Sequence, residues 1–253
     1  MTEHDETVRR EFERQAPTFT AGGWASSGVG WIVGLVEPDA SEQVLDVAAG
    51  AGHLGRALAF RTAHVTAVDL TPAVLEKGKA EADAAGQRNI VFEVGDAARL
   101  PYLDESFDVV VSRLSVHHFT DPAVPLAEMV RVCRRSGRVV LIDMVTEPEH
   151  RGVRDHLEVL RDPSHTRTPT TRELAALLAG AGASIVSQNT RDNPLRLDDW
   201  LERTSTPAPA RTEIRAALSA ELDGGPATGL RPYVDGEELW FTHAWSAVVA
   251  VRP

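Results

Sequence analysis

Between about Ser41 and Val145 the chain alternates short apolar runs with stretches of helical period. The runs are Gln43-Val-Leu-Asp-Val, Val65-Thr-Ala-Val-Asp, Ile90-Val-Phe-Glu-Val, Phe107-Asp-Val-Val-Val-Ser and Gly137-Arg-Val-Val-Leu-Ile-Asp-Met. Each is short, rich in Val and Ile, and bounded by Gly, Pro or polar residues, which reads as a strand buried on both faces. Between them, His53–Phe60, Pro72 through Ala85 and Pro122 to near Arg135 read as helices. Pro72 suits a first helical turn and Gly86 a stop. Cys133 falls in the last helix-like stretch and reads as a small packing residue.

After Val145 the pattern loosens. Thr171–Gly182 has the cap and period of an amphipathic helix, Ser184–Gln188 reads as a sixth strand, Ala210–Leu222 as a helix, and Trp240–Val251 as a last strand. Strands separated by helices of ordinary length predict a doubly wound α/β fold. Its sheet is expected to be mostly parallel and seven-stranded, with helices on both faces and a small helical cover. One domain is expected over 1–253: an N-terminal cover at 1–40, a core at 41–146, and the remaining sheet at 147–253 with an insertion at 191–238.

Composition narrows the function. A net charge of −11 argues against a nucleic-acid surface, which needs clustered Lys and Arg. The single cysteine excludes an intramolecular disulfide and any thiolate-rich zinc site. The acidic N-terminus and the lack of a long apolar window argue against a signal peptide and a membrane span. A cytoplasmic protein that binds no membrane is expected, with a homodimer allowed.

The candidate chemistry sits at the strand ends, where open α/β sheets bind ligands. The first run leads into Asp46-Val-Ala-Ala-Gly50-Ala-Gly52-His-Leu-Gly55, a strand–turn–helix with the G-x-G-x-x-G spacing. That spacing alone also fits a nicotinamide enzyme. Asp69 ends the second run and can accept from both hydroxyls of a ribose. Gly95-Asp96-Ala97 follows the third, and Asp104-Glu-Ser-Phe-Asp108 leads into the fourth. A Tyr-x-x-x-Lys dehydrogenase pair is absent, because neither Tyr102 nor Tyr233 has Lys four residues on.

Together these motifs resemble the class I methyltransferases that use S-adenosylmethionine (SAM), in the branch of the ubiquinone and menaquinone C-methyltransferases and related small-molecule enzymes. The resemblance is specific over Val44–Met144 and looser at Phe12–Phe19 and Leu239–Trp245. It implies SAM as cofactor, with S-adenosylhomocysteine as product. Asp46, Ala48, Gly50 and Gly52 would form the methionine-side loop, and Asp69 and Leu70 would meet the ribose. Asp96 and Ala97 would meet the adenine, while the Arg113-Leu114 backbone would face the ammonium. Many members carry glycine where this chain has Ala48. The chemistry of SAM agrees: it presents an ammonium, a sulfonium and hydroxyls but no pyrophosphate, so acceptors suit it and basic residues are not required.

The expected reaction moves a methyl group to an O, N or C atom of a small metabolite, in secondary metabolism among other settings. A non-methylating or regulatory SAM-binding protein is the alternative. His117 and His118, in Ser115-Val-His-His-Phe119, are candidate general bases, or they only pack and hydrogen-bond locally. No metal is expected from them, since adjacent side chains rarely converge on one ion. Phe19 and Trp24 either close over the ligands or staple the cover to the core. His243 either lines the acceptor pocket or packs in the last strand.

Overall fold

The computed structural model describes residues 2–19 and 27–253. Its sheet is built around strands β1 (Gln43–Val47), β2 (His64–Asp69), β3 (Ile90–Val94), β4 (Phe107–Arg113) and β5 (Cys133–Val145), which run parallel in the order β3-β2-β1-β4-β5. Next to β5 lies the long β8 (Glu238–Val251), antiparallel, followed by β6 (Ser184–Arg196). A short β7 (Tyr233–Asp235) folds back onto the start of β8 and makes the eighth strand. The mostly parallel sheet is as the sequence implies; the extra strand is a local hairpin.

The helices are α1 (Glu3–Gln15), α2 (Val29–Val36), α3 (His53–Ala59), α4 (Pro72–Ala84), α5 (Ala123–Val132), α6 (Arg151–Arg161), α7 (Thr171–Gly180), α8 (Leu197–Arg203) and α9 (Ala208–Leu222). Strand period divides the core between the two faces. Val109, Val111, Val140 and Ile142 pack with α2 and α3 on one side. Val110, Val139 and Leu141 pack with α5 and α7 on the other. A separate cluster, with Leu157, Trp200, Leu201, Ile214, Leu218 and Phe241, joins α6, α8, α9 and the start of β8. Among the described residues no helix is long and apolar enough to cross a membrane.

Two boundaries differ from expectation for identifiable reasons. Helix α5 stops at Val132, and Cys133 opens β5, paired with Phe107. The carbonyls that would continue the helix are taken elsewhere. Ser106 N–H donates to Val132 O at 2.8 Å, and Arg252 donates to Arg131 O at 2.6 Å and also to Cys133 O. Cys133 is buried, as a packing residue should be. Strand β6 runs on to Arg196 because β8 is long enough to pair with it throughout, so 191–196 belong to the sheet rather than to an insertion.

Candidate active site

Strand order reverses between β1 and β4, and a crevice opens beyond their carboxyl ends. A cavity of about 400 Å³ occupies it, within the usual size range of small-molecule pockets.

One end is made by the turns after β1, β2 and β3. Gly52 starts α3 with φ 65°, a backbone that a residue with a Cβ adopts at a cost. Asp69, the last residue of β2, has both oxygens oriented by backbone: Gly50 N–H donates to Oδ2 at 2.7 Å and Thr71 N–H to Oδ1 at 2.8 Å. Each oxygen retains a lone pair for a ligand hydroxyl. Burial raises the Asp69 pKa despite these bonds. Asp96 accepts from Ala98 N–H at 2.8 Å and lies half-buried at the rim. Ala48 and Leu114 both hold positive φ, 54° and 56°, strain typical of residues fixed at a ligand site. It also explains why glycine would suit position 48.

The other end is assembled from β5, α6, β6, α8 and β8. His117, in a turn after β4, lies against Asp143 of β5, with Nδ1 to Oδ1 at 2.6 Å. Asp143 is fully buried and also accepts from the N–H groups of Val116 and Met144, each at 2.7 Å. Acceptor-only surroundings assign the Nδ1 proton to this bond and leave Nε2 with its lone pair. Burial depresses the His117 pKa, but the charge and hydrogen bond of Asp143, with Glu158 and Asp162 beyond, outweigh it and raise the net value.

His118 differs. Its Nδ1 lies 3.0 Å from Ser164 O, and burial together with the His117 charge holds it down at about 3, so it is neutral. Helix α1 closes the top: His4 Nε2 is 2.8 Å from His118 O, Gln15 donates to Asp162 at 2.9 Å, and Phe12 meets His118 edge-on at 5.1 Å.

Of the residues singled out in sequence, Ala48, Gly50, Asp69, Leu70, Asp96, Ala97, Arg113, Leu114, His117, His118, Phe19 and His243 all line this cavity. Asp46 and Gly52 stand behind it. Asp46 accepts from Gly55 N–H at 2.8 Å and braces the loop, and burial raises its pKa to about 7. Trp24 lies outside the described residues. His243 is both a strand residue and a wall residue. Sequence reasoning missed Asp143, Arg161, Asp162, Asn193, Trp200 and Arg203. Only Asp143 left a signal, as the one charge inside Val139–Val145.

A family model described as a methyltransferase domain matches residues 38–190, more than half of the chain. The methyltransferase YcgJ of Bacillus subtilis is 31% identical over 84% of this chain and 83% of its own. Its crystal structure superposes with a TM-score of 0.79 at 27% identity, covering 89% of this chain and 97% of that one. A demethylmenaquinone methyltransferase of Clavibacter sepedonicus is 38% identical over 45% of each chain. The fold and the strand-end site define a class I methyltransferase. The chain belongs to that family of SAM-dependent enzymes.

Proposed function

We propose that this methyltransferase binds SAM on the Gly50 turn and methylates a small-molecule acceptor held at the His117 end of the cavity. Asp69 and Leu70 hold the ribose, Asp96 and Ala97 the adenine, Ala48 and Gly50 the methionine part, and the Arg113-Leu114 backbone the ammonium. The residues fit the group: the buried Asp69 offers open lone pairs to hydroxyls, and Asp96 offers another acceptor at the rim. Bound SAM supplies an electrophilic methyl on a sulfonium.

The remaining work falls to the chain. The carrying observation is His117, which lines the same cavity as Asp69 and Asp96 and is backed by the buried Asp143 at 2.6 Å. His117 Nε2 takes the proton from an acceptor O–H or N–H as that atom becomes nucleophilic, and Asp143 stabilises the imidazolium. Phe12 and Gln15 of α1 and the Phe19 side chain line the same cavity and would shield the reacting atoms from water. Alignment of the two reactants in such a site is worth effective molarities of roughly 10⁵–10⁸ M, so positioning dominates and the base adds to it.

The test is S-adenosylhomocysteine formation across a panel of phenols, alcohols and amines, with calorimetry for SAM and NAD(H). Turnover with at least one small acceptor, lost in His117→Asn, is expected. Nicotinamide binding without SAM binding overturns the cofactor assignment. Turnover that His117→Asn leaves intact overturns the base.

A further inference from the structure

We propose that the wall made by β6 and β8 binds an uncharged carbonyl group of the methyl acceptor, with Asn193 Nδ2 and Trp245 Nε1 as the two donors. The proposal rests on the placement of the acceptor at the His117 end. Asn193 and Trp245 both line the cavity, and each is only 3% exposed. Asn193 stands opposite His243 in the β6–β8 ladder, and Trp245 is two residues on from His243. Side chains two apart on a strand share a face. Asn193 and Trp245 are therefore diagonal neighbours, within reach of one ligand group. Trp245 also pairs with Met144 of β5, another wall residue and the one that follows Asp143 behind His117.

The chemistry of the two groups is one-sided, because an indole N–H and an amide NH₂ only donate. Trp245 Nε1 is buried and has no hydrogen-bond partner. The ring is held by packing: the Arg113 guanidinium lies 5.2 Å from its centre, and a Cβ on Gly28 would stand 2.6 Å from Cζ3, across the ring from Nε1. Asn193 is fixed through its other end, where Ser27 Oγ donates to Oδ1 at 2.7 Å. That bond orients the amide and leaves the Nδ2 protons without an acceptor among the described residues.

Buried donors are nearly always paired, and an unpaired one is costly. Two on one cavity wall mark the place of an acceptor atom brought by a ligand. A carbonyl oxygen has two lone pairs and takes both donors at once. A hydroxyl would bring a proton of its own, and the Asn193 oxygen that could receive it already holds Ser27. A carboxylate is matched less well, because both donors are neutral. His243 beside them is neutral too: burial, and then the charges of Arg154, Arg161 and Arg203, hold its pKa well below the ordinary value. Arg154 and Arg161 are themselves paired with Glu158. Met144 and Leu195 flank the donors with apolar surface, which suits an aromatic or alkyl body.

Two phenols that differ only in a C=O for a CH₂ test the wall: para-hydroxyacetophenone and para-ethylphenol. Para-hydroxybenzoate is the anionic arm. Each is titrated calorimetrically into the full chain with and without S-adenosylhomocysteine. The ketone is expected to bind about ten- to hundredfold more tightly than para-ethylphenol, and more tightly than the benzoate. A second readout is the Trp245 indole proton resonance in protein labelled on its indole nitrogens, assigned by its loss in Trp245→Phe. It should move downfield with the ketone and not with para-ethylphenol.

Trp245→Phe and Asn193→Leu, which keep the approximate shape and remove the donors, are each expected to cut the ketone's advantage about tenfold. S-adenosylhomocysteine affinity should stay within twofold. If Trp245→Phe fails to fold, Asn193→Leu carries the comparison. Equal affinity for the ketone and para-ethylphenol, no binding of either up to millimolar concentration, tighter binding of the benzoate than of the ketone, an unmoved indole resonance, or an advantage that survives Asn193→Leu overturns the proposal. Failure of the wild-type chain to bind S-adenosylhomocysteine counts against the proposed function instead, and the phenol titrations without it still decide the wall.

Discussion

The end of the cavity proposed for the cofactor is made by consecutive βα units, and its polar groups stand at or just past the ends of β1, β2, β3 and β4. The end proposed for the acceptor is put together from β5, α6, α8, the far half of β6 and β8, segments spread from residue 133 to 251. The chemistry differs as well: carboxylates and backbone groups at one end, arginines, histidines and indoles at the other. A sheet can hold one ligand in a conserved manner at a switch point while its later, separately packed helices vary what meets that ligand. The α6–α8–α9 cluster has a core of its own, distinct from those on the two faces of the sheet.

The largest effect is expected where the two ends meet. His117→Asn should lower kcat by about 10²–10⁴-fold with S-adenosylhomocysteine affinity unchanged, as read by steady-state rates and calorimetry. The active form of His117 is deprotonated, so kcat/KM should rise with pH through a midpoint above the ordinary histidine value of 6.5, because Asp143 raises the pKa. In Asp143→Asn burial is no longer opposed by that charge. The midpoint should then move to lower pH while the plateau rate falls. A midpoint unmoved by Asp143→Asn would detach the pair from the chemistry.

Next comes the cofactor end alone. Asp69→Ala should weaken SAM by one or two charge-assisted hydrogen bonds, about 1.5–3 kcal/mol each. It also leaves the buried N–H groups of Gly50 and Thr71 without their acceptor, so the melting temperature should fall too. Asp69→Asn keeps the shape and separates the two losses. Unchanged SAM affinity in both variants would remove the ribose assignment.

A matched pair of glycine substitutions compares the packing of the two regions. A Cβ on Gly78 of α4 would stand 2.4 Å from Ala51 O and 2.8 Å from Phe92 Cε1, so Gly78→Ala must push α4 off the Gly50–Gly52 turn. Overpacking of this kind costs about 1–3 kcal/mol, seen as a lower melting temperature and weaker SAM binding. A Cβ on Gly152 of α6 meets nothing within 4 Å. Gly152→Ala should be neutral or stabilise by up to about 1 kcal/mol through helix propensity. Equal effects at both sites would erase the contrast.

The same contrast explains what could be read from the chain. Asp69 and Asp96 were legible because a strand end, a turn and a helix start are local and are marked by period, glycine and proline. Gly78 was not, because its role is a contact between α4 and a loop far along the chain. Arg161 and Arg203 look like ordinary surface residues of amphipathic helices until α6 and α8 pack and turn them inward. Cys133 reads as helical yet opens β5, because Ser106 and Arg252, the latter more than a hundred residues away, take the carbonyls that would have continued α5.

The smallest expected effect distinguishes the adjacent histidines. His118 lines the cavity as His117 does, and their rings lie 4.2 Å apart. Yet among the described residues no carboxylate is hydrogen-bonded to the His118 ring; its Nδ1 faces the carbonyl and hydroxyl of Ser164. With its pKa held at about 3 it is a far weaker base than His117, and base efficiency falls with basicity. In His118→Asn the amide can still donate to Ser164 O, so kcat should fall by no more than about tenfold, or about 1.4 kcal/mol. The kcat/KM midpoint should hardly move, because His118 stays neutral through the range in which His117 titrates. A hundredfold loss, or a shifted midpoint, would transfer the base role to His118 and make Asp143 a scaffold for the turn alone.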